Sequence, residues 1–236
     1  MDYDSLLELV KNRRSIRRFK PDLIPDEYVD KIIEAARWAP SGFNLQPWEF
    51  IVVKDKKIKD SIVQILREDM EHHARMEATR ETWQVKTARS QSSPLPKVAN
   101  DYSNAPVFIL LFGDTRTQVG LPMIRRFNYQ LTQLAYISGL ASAMLYMHLA
   151  ATTLGLASQW VSAVGNPYGH CLVKNLLGIP PALEAYDMMA VGYPDAGPRP
   201  RFVRDREEMV HRDYCGEGAF RTDEAVRSFI VKIRNP

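Results

Sequence analysis

From Phe127 to Val173 the chain carries no Asp, Glu, Lys or Arg. A charge-free stretch of that length has few places to go in a folded protein. Either it crosses a bilayer, which takes roughly 20 consecutive apolar residues, or it lies in a large core or a subunit interface. Gln130, Gln133, Ser138, Ser142, His148, Thr152 and Thr153 fall all round a helix drawn through NYQLTQLAYISGLASAMLYMHLAATTLGL. Alanine supplies much of the apolar content, and alanine favours close packing over contact with lipid. The run therefore reads as a buried core or interface helix and not as a membrane span.

The rest of the composition is that of a soluble globular chain: 236 residues, 45% hydrophobic, 25% charged, with a net charge of +3. So mild a basic excess argues against a nucleic-acid partner, although a local cluster can still hold a small anion. Cys171 and Cys215 stand far apart, with no CxxC and no histidine at ligand spacing. Neither a disulfide framework nor a metal site is expected, and a reducing cytoplasm fits. The first residues, MDYDSLLELVKNRR, place acids where a signal peptide places bases.

Periodicity orders the elements. Leu6, Leu7, Leu9 and Val10 mark a short amphipathic helix. Pro25-Asp26-Glu27 opens a second helix, whose stripe Val29, Ile32, Ile33 and Ala36 ends before Pro40. WEFIVV (48–53) reads as a strand, and Asp55 can cap a helix carrying Ile58, Ile62, Ile65 and Leu66. VFILLF (107–112) is a buried strand. After the uncharged helix come a strand over 158–163, a short helix over 171–177 closed by Gly178 and Pro180, and a strand over 185–192. These predict a single α+β domain over 1–236, with helices in layers around a central mixed sheet. Residues 71–100 are polar and break the pattern, reading as partly helical at first and then as an excursion of the kind that lids and binding loops make. The tail, 195–236, is too polar for a core of its own and is expected to extend around another subunit.

Four segments carry chemistry. Arg13-Arg14-Ser15-Ile16-Arg17-Arg18-Phe19 offers forked donors and a hydroxyl suited to a phosphate, with alternation aiming Arg13, Ser15 and Arg17 to one side. A solvated basic turn is the plain alternative. Pro40-Ser41-Gly42-Phe43-Asn44 sits between a helix and a strand and supplies turn residues, with Gly42 allowing a flat ligand close to the main chain. Ser158 to Gly165 leaves the uncharged helix as a strand, in which alternation sends Trp160 and Ser162 to one face. Gly192-Tyr193-Pro194 is followed by Arg199, Arg201 and Arg204. Each of these also reads simply as a connector or a polar loop. His72-His73 reads as a solvated pair. No Ser/His/Asp arrangement and no G-x-G-x-x-G dinucleotide motif is present.

Taken together, RRSIRRF, AARWAPSGFNLQPWEFIVV, LGLASQWVSAVG, LLGIPPALEAYDMMAVGYP and the late arginines resemble, in this order, the nitroreductase family of flavoenzymes over about residues 5 to 210. The resemblance implies a three-layer, intertwined homodimer with FMN at the subunit interface and NAD(P)H as co-substrate. Nitroaromatics and quinones would be the acceptors, reduced in ping-pong order. By position, Arg13, Arg14, Ser15 and Arg17 would hold the FMN phosphate and ribityl chain. Pro40, Ser41, Gly42 and Asn44 would line the same flavin from the other subunit. Trp160, Val161, Ser162 and Ala163 would pass the ring near N5. Arg201 and Arg204 would return to the phosphate, although their spacing departs from that of some members and Arg199 can take one place. A hydroxyl at position 162, with PSG, also resembles the deiodinase and dehalogenase branch. Reductive dehalogenation is therefore a second reading, with Ser162 beside N5 and Trp83 in the lid, near Glu71, Glu77, Glu81 and Lys86, as a substrate contact. A protein that binds flavin without turnover is a third.

Overall fold

In the computed structural model, four strands, β1 (Trp48–Val53), β2 (Val107–Asp114), β3 (Ala157–Val161) and β4 (Leu183–Gly192), form one sheet in the order β1-β2-β4-β3. The structure describes residues 2–78, 102–198, 201–214, 216, 218 and 220–234. The chain divides into two compact units, residues 1–70 with 98–198, and residues 71–97 with 199–236.

Seven helices occur among the described residues: α1 (Tyr3–Asn12), α2 (Asp26–Arg37), α3 (Lys56–Ala78), α4 (Met123–Arg126), α5 (Tyr129–Thr153), α6 (Pro167–Leu177) and α7 (Asp223–Arg234). In the first unit, α2 and α5 bury Val29, Ile32, Ala36, Leu140, Met144 and Met147 against Ile109, Leu111, Met189 and Val191 on one face of the sheet. On the other face, Ile62 and Leu66 of α3 and Val173 of α6 pack on Phe108, Leu110, Phe112, Met188 and Ala190. Strands buried on both faces read as unbroken apolar runs, which is why VFILLF lacks alternation. The result is a three-layer α+β arrangement. Asn128 caps α5, accepting from the Leu131 N–H at 3.1 Å. Gly113 has no side chain because Tyr136 of α5 lies on the strand there; a Cβ would sit 2.0 Å from the phenol oxygen.

Several expectations need correction. The sheet is antiparallel at all three pairings, not mixed. Phe108 pairs with Val53, so the connection from β1 returns to the end it left, which makes the pair antiparallel. Helix α3 runs on to Ala78, in line with a helical start to the polar span. β3 stops at Val161, and Ser162–Gly165 form a 310 turn, so strand alternation does not govern Ser162. Gly165 lies in that turn so close to β4 that a Cβ would meet the Tyr186 carbonyl at 2.8 Å.

The second unit is described over part of its length. Its described part contains the helix α7, whose Thr222 hydroxyl accepts from the Ala225 N–H at 3.2 Å. The ring of Phe229 lies 5.8 Å from that of Phe202, with Lys232 over Phe202 at 4.5 Å and Arg221 over Phe229 at 5.0 Å.

Ile32 is fully buried between α2 and the sheet. Ile32→Ala should cost about 2–5 kcal/mol in urea unfolding, whereas Glu27→Ala, which removes an exposed pair with Lys31, should cost less than about 1 kcal/mol. His148 of α5 is buried in the same layer. Burial first, and the charge of Arg13 second, push its pKa from 6.5 down to about 3. The unfolded chain therefore binds a proton at His148 that the folded chain refuses between these values, and stability falls as pH drops through that window. Asp187, raised from 3.8 to about 6 by burial, acts in the opposite sense. Replacing His148 by Gln should leave unfolding free energy falling less steeply between about pH 6.5 and pH 4 than in the wild type.

Candidate functional site

Past α1 the basic segment docks on the outer edge of β3. Ser15 forms a parallel bridge with Ser158, and the Ile16 N–H donates to the Ser158 carbonyl at 3.1 Å. Phe19 bridges Pro194, and the Lys20 N–H donates to the Tyr193 carbonyl at 2.9 Å. Ile16 and Phe19 are buried and anchor the segment, while Arg13, Arg14, Ser15 and Arg17 are left half-buried. Arg18 is exposed and donates to the Asp195 carbonyl at 3.4 Å. The predicted cationic run is thus held extended by main-chain bonds and not loose in solvent.

The loop from Pro40 to Gln46 is seated on α5 through small residues. A Cβ on Gly42 would lie 3.1 Å from the Ala135 Cβ, and one on Gly139 would lie 3.1 Å from the Ser41 Cβ. Gly42 is therefore glycine for helix contact. Phe43, Asn44 and Gln46 all have positive φ, at 55°, 54° and 46°, and such clusters of strained backbone occur at ligand clamps. The Ser41 hydroxyl accepts from the Gln46 N–H at 3.0 Å and keeps its own hydrogen to donate. Phe43 and Asn44 are exposed.

β3 is an edge strand of the sheet. Among the described residues, Ser158 is its one bridge to the basic segment, and the edge from Trp160 onward is open. The Trp160 indole stacks on the His148 ring, centroids 5.5 Å apart, and donates to Asp187 Oδ2. His148 Nδ1 lies 2.7 Å from the Ser158 Oγ, and its buried Nε2 has no hydrogen-bond partner among the described residues. Ser162 is exposed, Ala163 half-buried and Val161 buried.

The structure thus brings Arg13, Arg14, Ser15 and Arg17 to the strand edge that continues into Trp160–Ala163. It does not bring Pro40–Asn44 there within one chain. Ala135, under the loop, and His148, under Trp160, are thirteen positions apart on α5, about 20 Å. Arg201 and Arg204 lie in the second unit, Arg201 exposed, Arg204 bound to Glu208 through Nε at 3.3 Å and through NH2 to its carbonyl at 2.8 Å. Trp83, Glu81, Lys86 and Arg199 lie outside the described residues. Sequence reasoning missed His148 and Asp187 as members of this cluster. A lone histidine and a lone carboxylate inside apolar runs were the available signals, since buried ionisable groups need partners.

The donor set fits FMN. A phosphate wants forked cations on a fixed backbone, and a flat ring wants an apolar wall with a few main-chain donors. The half-buried arginines and the open edge beside Trp160 provide the two in sequence. Comparison with known proteins agrees. The chain is 27% identical over 191 residues to an Archaeoglobus fulgidus protein provisionally named NADH dehydrogenase/NAD(P)H nitroreductase, covering 81% of this chain and 86% of that one. It is 27% identical over 201 residues to the iodotyrosine deiodinase of Thermotoga neapolitana, covering 85% and 94%. A crystal structure of an oxidised iodotyrosine deiodinase bound to FMN and 3-iodo-L-tyrosine matches it at 26% identity with a TM-score of 0.65, over 89% of this chain and 100% of that one. Residues 10–193 match the Nitroreductase family, most of the length of the chain and both edges of the site just described, and the chain belongs to that family.

Proposed function

We propose that this protein is an FMN-dependent oxidoreductase that acts as a homodimer, taking hydride from NAD(P)H and reducing a nitroaromatic, a quinone or a related small acceptor in ping-pong order. The observation that carries this reading is the docking of the basic segment on β3 by the Ser15–Ser158 bridge, which lines up cations with an open strand edge. Family membership supports the cofactor, and the name of the archaeal relative supports the hydride donor.

Bound FMN supplies the hydride and electron chemistry, and the protein supplies position and electrostatics. Arg13, Arg14, Ser15 and Arg17 hold the phosphate and ribityl chain, and Trp160 to Ala163 border the ring. Pro40, Ser41, Gly42 and Asn44 of a second copy close the site, which the separation of loop and strand edge along α5 supports. The outer face of α5 supports the dimer too. Leu134, Ile137 and Leu145 are 61%, 45% and 43% exposed on it, and Phe127 just before it is 85% exposed. Contiguous apolar surface of this kind marks an interaction site. By length and composition α5 could cross a membrane, and 44% of its most apolar window is already buried inside the structure. The reading takes the helix as core on one side and dimer contact on the other. Reductive dehalogenation is the second reading, supported by the deiodinase relative and by the exposed Ser162.

Purified protein should carry the visible absorbance of bound flavin, bleached by NADH or NADPH and restored by a nitroaromatic. Iodide release from 3-iodo-L-tyrosine by the reduced protein would select the second reading. A protein that takes up no FMN ends both. Charge-assisted bonds to phosphate are worth roughly 1.5–3 kcal/mol, so Arg17→Ala should weaken FMN binding about 10-fold to 100-fold by fluorescence quenching. Leu134→Glu should shift sedimentation from dimer to monomer and lower flavin occupancy with it. A flavin-loaded monomer would remove the shared site.

A further inference from the structure

Between β2 and α5 the chain makes a tight turn, a 310 segment over Thr115–Gly120 followed by α4 (Met123–Arg126). It is fixed on several sides. Gly120 lies so close to the Pro40–Gln46 loop that a Cβ there would meet Leu45 Cδ2 at 2.8 Å. Leu121 is buried next to it. The buried Thr132 of α5 donates its hydroxyl hydrogen to the Arg125 carbonyl at 2.8 Å, and the Arg125 and Arg126 N–H groups both donate to the Pro122 carbonyl. The main chain is thus held in place, while Met123, Ile124, Arg125 and Arg126 stand exposed.

The charge on this turn is unbalanced. Arg116 is held by Asp114, which accepts from its Nε at 2.9 Å and its NH2 at 2.7 Å. Arg125 and Arg126 have no such partner: among the described residues no group bonds or pairs with either guanidinium. The adjoining sequence offers none, since no Asp or Glu occurs from Thr115 to Leu183. Two unpaired guanidiniums on a fixed turn, beside exposed apolar side chains, suit a ligand that is part anion and part flat ring. Consecutive residues of a helical turn point about 100° apart, so the two cations address two phosphates of one ligand better than a single phosphate.

The hydride donor proposed above has that make-up. Its nicotinamide has to meet the flavin, while its adenosine half, with a pyrophosphate and in NADPH a 2′-phosphate, extends beyond the ring. The Pro40–Gln46 loop, to which the turn is fastened, is the part that closes a second copy's flavin site in the same reading. We propose that Arg125 and Arg126, with Met123 and Ile124 beside them, hold the phosphates and the adenine of NAD(P)H at the rim of that site. This rests on the FMN and dimer readings above. Arg13, Arg14 and Arg17 then neutralise the cofactor, and a second pair of cations, on a different element, neutralises the co-substrate. Full exposure keeps this second grip weak and sensitive to salt, as a donor that must leave before the acceptor enters requires.

The test follows the bleaching of FMN-loaded protein by NADPH, by NADH and by dihydronicotinamide riboside, which carries the same hydride and no phosphate. In the wild type, apparent affinity for NADPH should fall as ionic strength rises, and that for the riboside should not. In Arg125→Gln/Arg126→Gln the ratio of NADPH to riboside efficiency should drop about 10-fold. Arg125→Lys/Arg126→Lys should restore much of the ratio, which separates lost charge from a loosened fold. A drop confined to NADPH assigns the 2′-phosphate, and an equal drop with NADH assigns the pyrophosphate. An unchanged ratio, whether all three donors are unaffected or all slow together, overturns the proposal. Protein that takes up no FMN, or whose FMN none of the three donors bleaches, overturns the underlying functional reading and this proposal with it.

Discussion

The packing of α5 on the sheet fixes the positions of everything else at the site. Leu140, Ala143, Met144 and Met147 are buried on it, and each of the three larger side chains contributes roughly 1.5–3 kcal/mol. The same helix fastens the Pro40–Gln46 loop near one end, through Ala135 and Gly139, and the Trp160 cluster near the other, through His148. Both attachments depend on what α5 lacks. Small residues let the loop backbone approach, and the absence of charge lets a histidine be buried neutral beside a tryptophan. Helical rise along the uncharged run that makes the sequence unusual sets the distance between these two attachments within one chain.

Elements with a clean period were legible. Val29, Ile32 and Ala36 mark the buried side of α2, and WEFIVV marks β1 to the residue. The helical start of the polar span was legible as well, and α3 continues past Glu71 because long polar side chains are good helix formers. Two failures had distinct physical causes. α7 was overlooked although Val226, Phe229, Ile230 and Ile233 keep helical spacing behind Thr222 and two acids; low average hydrophobicity hid a periodic stripe. The antiparallel sheet was not legible at all. Strand direction depends on which end a connection returns to, and no local residue pattern encodes that.

At the candidate site, residue type was legible and geometry was not. The cationic run, the PSGFN turn and the Trp160 strand were each visible as chemistry, and main-chain bonding at Ser15 and Ser158 then placed two of them together. Strand alternation misassigned Ser162, because a 310 turn begins at that residue. β4 carries a bulge at Tyr186, which was invisible for a related reason. AYDMMAVG gives no sign that Tyr186 and Asp187 both reach Trp160, since the extra residue is defined only against the partner strand.

An open edge strand is a liability, because unpaired N–H and C=O groups invite pairing with other chains. Here the basic segment covers β3 at Ser158 and stops. Beyond it stands Trp160, which donates to the buried Asp187 carboxylate and stacks on the buried His148 ring. Extending the Arg13–Phe19 segment along the whole strand would have been the simple remedy, yet it turns away at Phe19 to bridge Pro194. On the FMN reading proposed above, a flat ring with acceptors along its rim would cover the remaining edge without adding a strand, and its phosphate would fall toward the arginines docked next door. Ligand binding and edge protection are then the same event, so whatever occupies this edge also stabilises the folded chain by mass action.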